Sequence, residues 1–406
     1  MDTRIRRFIS IGAMTCGAIV FLVGMFNVIV DPYRLFGRNS LEPATRVNDR
    51  VFKSYEALRV APNALLLGSS RVEEGLDARH PDWPMSVRPV YNLGLIGASP
   101  YLSYRYLQHV LSHRPLKLVV MGLDFGFFLD SFKEPTPIEP DDEPRLTVKP
   151  DGSANPEQGR AYVRDVLRSL SLKALVDSTA TIARGISDDP GYDANGDLLF
   201  NGVALRERAA QGAIRTFPLN DLWFIRLLRA PGNSGGHIDP RVMLTLRDIL
   251  QLCDSHGTRV IFFINPVHAD LLEILASTGL WPTFEDWKRQ LTALTHEYSR
   301  AHTRSRISLW DFSGYHDYAT EAVSWNHQLL KGFVDPSHYN WVVGDVIIRQ
   351  IFGQQGARMG TELTPQTVET YLATIRKQQQ EYRDRQPLDV QRVHLLYKGL
   401  VDTIAP

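Results

Sequence analysis

Between Phe8 and Val30 the chain carries no charged residue, and this run of 23, FISIGAMTCGAIVFLVGMFNVIV, constrains the fold more than any other feature. As a helix it is about 34 Å long at 1.5 Å per residue, enough to cross a hydrocarbon core with modest tilt. Arg4, Arg6 and Arg7 precede it, and Asp31, Pro32 and Arg34 follow. The positive-inside bias therefore keeps residues 1–7 cytoplasmic and sends the rest across the inner membrane to the periplasmic side. A cleaved export signal is shorter and ends at a small-x-small site, and none is clear near Val30. An uncleaved anchor over 8–30 is the preferred reading and cleaved export the alternative. No other window reaches 18 apolar residues, which predicts a single pass.

Lysine plus arginine and aspartate plus glutamate both number 45, so no broad basic footprint exists for a nucleic-acid partner. Two cysteines, Cys16 inside the apolar run and Cys253 far from it, make neither a disulfide framework nor a metal cluster. His316 and His327 lack partners at ligand spacing, and no phosphate-binding glycine loop follows a strand. No metal or cofactor is expected, and a nucleotide binder is disfavoured.

Past the anchor, four short apolar runs read as buried strands: Ala64 to Leu67, Lys117 to Gly122, Arg259 to Ile264 and Ile307 to Trp310. A fifth, Val87 to Leu93, is less regular. Helical patterns from Tyr101 to His113, Arg241 to His256 and Thr283 to His302 alternate with them. Strand alternating with helix predicts an α/β fold, a three-layer α/β/α sandwich with a mainly parallel sheet.

Residues 31–60 read as a linker, 61–129 and 236–360 as two parts of one core, and 361–406 as a charged helical tail. The intervening 130–235 reads as an insertion and possible lid. It opens with a proline-rich, acidic, solvated loop to Asn155 and continues with a helical pattern over 159–186. Asp193, Asn195 and Asp197 alternate like a calcium loop, but the required glycine and glutamate positions are wrong, so an Asn-Gly hairpin turn is predicted.

Two short segments carry possible chemistry. Leu65-Leu-Leu-Gly68-Ser69-Ser70-Arg71 delivers a hydroxyl at the carboxyl end of a parallel strand, where open α/β sheets place ligands. Asp335-Pro-Ser-His338, after the last strong strand, can let a carboxylate orient an imidazole that deprotonates a hydroxyl. Alone, the first is equally a helix cap and the second a chance pattern.

Together, in this order, they resemble the SGNH/GDSL hydrolase superfamily over about 63–130 and 259–352. The resemblance implies Ser70 as nucleophile, His338 as general base and Asp335 as its orienting carboxylate. Tyr91-Asn-Leu-Gly-Leu-Ile-Gly97 is similar to the family's second block, which implies that the Gly97 N–H binds the oxyanion.

Met121-Gly-Leu-Asp124 stands where the family ends a third block in asparagine, and Ser69 replaces the usual aspartate before the nucleophile. An ionised Asp124 accepts hydrogen bonds only. Three explanations stay open: a protonated Asp124, another donor such as Asn92 or Asn265, or an incomplete oxyanion hole. His268, in Asn265-Pro-Val-His268, is read as a substrate ligand, as an alternative base, or, preferably, as the cap of the following helix.

The resemblance implies a membrane-anchored serine esterase or O-acyltransferase acting on an acylated carbohydrate of the envelope or of an exported polysaccharide. The alternative is an inactive binding or assembly component of a polysaccharide-export machinery. Trp281, Trp287, Trp310, Trp325 and Trp341, with nearby tyrosines, suit either a sugar groove or helix packing.

Overall fold

The computed structural model describes residues 3–37, 44–45, 49–130, 141–184, 191–199, 212–228, 236–302, 306–323, 328–353 and 359–404. The readings at 131–140, Trp325 and His327 lie outside the described residues. The chain divides into two compact units. One comprises Met1–Arg59, Glu139–Ala194 and Leu198–Ala204; the other comprises Val60–Ile138, Asn195–Asp197 and Leu205–Pro406.

The second unit is α/β, built on a six-stranded sheet. Its strands are β1 (Ala64–Gly68), β2 (Val90–Gly94), β3 (Leu118–Leu123), β4 (Arg259–Ile264), β5 (Ile307–Asp311) and β6 (Thr361–Glu362), in the order β2-β1-β3-β4-β5-β6. The first five pair in parallel, in registers such as Leu66↔Asn92, Leu66↔Val120, Val120↔Ile261 and Phe262↔Leu309. The central strands β1, β3 and β4 are almost continuously apolar because both faces are buried, whereas β5, nearer the edge, is half-buried. Ala64, Leu66, Val120, Ile261 and Phe263 pack in one cluster with Val343 and Ile347, while Leu65, Leu67, Val119, Met121 and Phe262 are buried as well.

The tail is not a separate element. Residues 361–362 add β6 antiparallel to β5, with Trp310 opposite Glu362, and helices Val368–Arg385 and Pro387–Ile404 follow. Arg383 bonds the buried Glu273, and Arg392 joins two buried carboxylates, Asp221 at 2.6 Å and Asp270. Burial and the Asp270 charge push Asp221 up from the usual carboxylate range. Burial also works against ionised Asp270, but His268 and Arg392 hold its carboxyl below that range. Breaking such a pair strands a buried charge, so Arg392→Met is expected to cost about 3–5 kcal/mol, read from urea unfolding of the full chain in detergent.

The first unit contains the apolar helix Thr3–Val30, a length and composition able to cross a membrane as an anchor or to act as a signal sequence. Its last turns are covered. Gly24 lies against Leu170, Asn27 donates to the Ser171 carbonyl at 3.1 Å, and Ser178 donates to Asn27 at 3.0 Å.

Residues 31–60 are more than a linker. Helix Asp49–Val60 buries Phe52 and Ala57, and Arg34 is buried against Glu56 at 2.8 Å and the carbonyls of Tyr192 and Asp193. Nor is the stretch 142–148 solvated, because Arg145 is buried between Asp142 at 2.9 Å and Asp165 at 2.7 Å, whereas residues 149–154 are exposed. The predicted long helix is two, Gln158–Ser169 and Leu172–Arg184. Gly191–Tyr192 pairs antiparallel with Leu198–Leu199, as the predicted hairpin.

The span 130–235 is therefore not one insertion. Its part from Leu205 belongs to the unit with the large sheet, where helix Ala213–Leu228 packs Phe217 and Ile225 into the interior.

Candidate active site

The sheet order reverses between β1 and β3: the chain leaves β1 for β2 on one side, then crosses to β3 and continues the other way. In open α/β sheets ligands bind beyond the carboxyl ends of the strands at that point. Ser69 and Ser70 follow β1, Asp124 follows β3 and Asn265 follows β4.

Ser69 caps helix Ser70–Gly75, its hydroxyl accepting from the Arg71 N–H, which fixes Ser70 at the first helical position. The Ser70 hydroxyl donates to His338 Nε2 at 2.9 Å, and His338 Nδ1 donates to Asp335 Oδ2 at 2.8 Å. Asp335 Oδ1 accepts from the backbone N–H groups of Ser337 and His338 at 2.8 and 3.0 Å, which closes the turn around it.

Close approach of glycines brings the two segments together. The Gly344 Cα faces the Gly75 carbonyl so tightly that a Cβ would fall 1.8 Å from its oxygen. Helix Trp341–Ile351, capped by Asn340 just after His338, thus lies directly against the helix that starts at Ser70.

Burial opposes the charge on Asp335, but His338 and the turn's hydrogen bonds outweigh it and hold the carboxyl far below its usual range. Burial also opposes protonation of His338, and the Asp335 and Glu74 carboxylates outweigh that, so its pKa is raised. Asp335 therefore stays ionised, keeps the proton on Nδ1 and leaves the Nε2 lone pair toward Ser70.

The two departures from the family pattern are partners. Ser69 Oγ donates to Asp124 Oδ2 at 2.5 Å, while Arg71 and Asn265 each donate to Asp124 Oδ1 at 2.8 Å. With three donors aimed at it, Asp124 is an acceptor and supplies no proton to an oxyanion. Asp124→Asn removes the charge that neutralises Arg71, and a loss of about 2 kcal/mol is expected in urea unfolding.

Gly97 lines the same cavity as Ser70, in a left-handed turn at φ +65°. Among the described residues, the backbone N–H groups of Ser70 and Gly97 donate to no protein acceptor. Asn265 also lines the cavity, held from behind by the Tyr339 hydroxyl at 3.0 Å.

Two candidates lie elsewhere. Asn92 is fully buried and spends its amide on the Val72 and Leu76 carbonyls and on Asp197, so it is not an oxyanion donor. His268 caps helix Ala269–Ser277, with Nδ1 accepting from the Asp270 N–H and Nε2 donating to the Glu321 carbonyl. It does not line the cavity.

Sequence reasoning passed over Arg71, although it adjoins Ser70, and read Tyr339 only among the aromatics of a sugar groove or of helix packing. Asp197, read as part of a hairpin turn, also binds the Ala78 N–H and Asn92 through its carboxylate. Of the tryptophans, Trp287 is buried against Phe125, Phe128 and Phe284, and Trp310 stacks on Phe312. Trp223, which was not singled out, is exposed at the cavity.

Among the described residues no cluster of histidine, cysteine or carboxylate suits a metal. Comparison with models of known protein families finds no match, and no curated protein matches the chain in sequence.

Proposed function

We propose that the chain is a membrane-anchored, extracytoplasmic serine acyl esterase or O-acyltransferase with the three-layer α/β/α architecture of the SGNH/GDSL hydrolase-like superfamily. The observation that carries this reading is the connected series Ser70, His338 and Asp335, assembled at the sheet's switch point from segments 268 residues apart.

In the first half-reaction His338 Nε2 takes the Ser70 proton while Oγ bonds to the ester carbonyl carbon. The carbonyl electrons move onto oxygen, toward the N–H groups of Ser70 and Gly97. As the carbonyl reforms, the bond to the alcohol breaks and His338 returns the proton to it. The acyl-enzyme is resolved by the reverse course, with water or a second alcohol giving its proton to His338. The envelope or an exported polysaccharide is the proposed source of the alcohol.

A second reading, a binding or assembly component of polysaccharide export, is favoured by Asp124, whose carboxylate stands where an oxyanion donor is expected. Fluorophosphonate labelling of the full-length chain in detergent distinguishes them. The enzyme is labelled at Ser70 and the Ser70→Ala variant is not; a folded chain that takes no label speaks for the binding component.

A further inference from the structure

Beside Ser70 lies a cavity of about 370 Å³ whose walls are mostly apolar. Its polar lining comes chiefly from Ser70 and Arg71 after β1, Asp124 after β3, Asn265 after β4 and His338 in the turn before helix Trp341–Ile351. Phe125, Trp223, Phe224, Leu227, Leu271 and Phe284 make much of the remainder.

These walls come from separate elements, two of which share an anchor in Arg392, which binds Asp221 on one helix and Asp270 on the helix bearing Leu271. Helix Ala213–Leu228 is held through Asp221 by Arg392. The helix bearing Leu271 is capped by His268. Phe125 packs edge-on against Phe284 at 5.1 Å and against Trp287 at 5.4 Å. The cavity is thus pre-formed, and its apolar part offers water few partners.

Resting on the serine acyl-transfer reading above, we infer that this cavity is an acyl-chain pocket and that the group carried by Ser70 is a medium-chain fatty acyl. At about 30 Å³ for a water-sized group, the cavity has room for on the order of a dozen such groups. An acetyl group leaves most of it empty. The acyl side is assigned to the cavity because the acyl group stays bound through both half-reactions, whereas the alcohol departs and the acceptor enters.

The test uses the full-length chain in nanodiscs with p-nitrophenyl acetate, butyrate and octanoate, which vary only the acyl chain. A rise in kcat/KM of roughly 100-fold from acetate to octanoate is expected. Leu271→Trp, which fills the cavity, lowers the octanoate-to-acetate ratio at least about tenfold. A flat or acetate-preferring profile with Ser70 labelled overturns the pocket and leaves the triad standing, as does a chain-length preference confined to the alcohol side in octyl acetate. If Ser70 takes no label and no ester turns over, the acyl-transfer reading fails. The pocket is then judged by saturable quenching of Trp223 fluorescence by a nitroxide-labelled decanoic acid, taken as the difference from Trp223→Phe. Its presence keeps a chain-binding cavity and its absence overturns it.

Discussion

Ser70→Ala is expected to lower kcat for ester hydrolysis by roughly 10⁴- to 10⁶-fold and to abolish fluorophosphonate labelling, measured on the full-length chain beside wild type. The magnitude follows from what the hydroxyl does. Without Oγ no acyl-enzyme forms, and only general-base attack by water within the remaining oxyanion site is left. The loss is confined to the rate. Ser70 is at the first position of a helix capped by Ser69, and among the described residues the Ser70 hydroxyl makes no bond other than that to His338, so the fold retains its capping and sheet contacts. His338→Ala should match the rate loss to within about tenfold, because residues of one proton-transfer unit are non-additive. Two losses that multiply in the double variant would argue against a shared unit.

Asp335→Asn is expected to lower kcat by about 10⁴-fold and to move the acid limb of the pH–rate profile downward. Catalysis needs His338 neutral at Nε2, so activity is lost as pH falls through the His338 pKa. In the wild type that pKa is raised, burial being outweighed by Asp335 and Glu74, which places the limb above the ordinary histidine value. Asparagine removes the largest raising charge and leaves the burial, so the limb shifts to lower pH even as the plateau drops. It also lets an amide N–H face Nδ1, which favours the wrong tautomer. A stopped pH series on both proteins, with the limb unmoved, would separate His338 from the titration and leave Asp335 with a purely structural role.

The residues that meet in the site were largely legible, because strand ends and turns write their chemistry locally. An apolar run closing in Gly68-Ser69-Ser70 and an Asp335-x-x-His338 turn each hold their partners within a few residues. Asp335, for example, binds the N–H groups of Ser337 and His338. Asn92 was less legible. It sits in a motif that points to a ligand edge, yet its side chain turns to the Val72 and Leu76 carbonyls, while His268 takes the helix-cap place that was one of its readings. A side chain's direction depends on which unpaired backbone groups lie nearby in space, and spacing in the chain does not carry that.

The apolar run at the N-terminus, five of the six strands and their alternation with helices followed from hydrophobic length and period alone, since burial on both faces demands uninterrupted apolar strands. Tertiary structure decided what joins what. It gave Asp124 the partners Ser69, Arg71 and Asn265, added residues 361–362 to the sheet edge, and set helix Ala213–Leu228 against the cavity. It also gathered residues 1–59 and 139–194 into one unit around Arg34 and Arg145. Each of these rests on a buried charge, strand edge or apolar wall satisfied by a residue far away in sequence. Only the packed chain selects such partners, because any of several distant groups could satisfy the same local need.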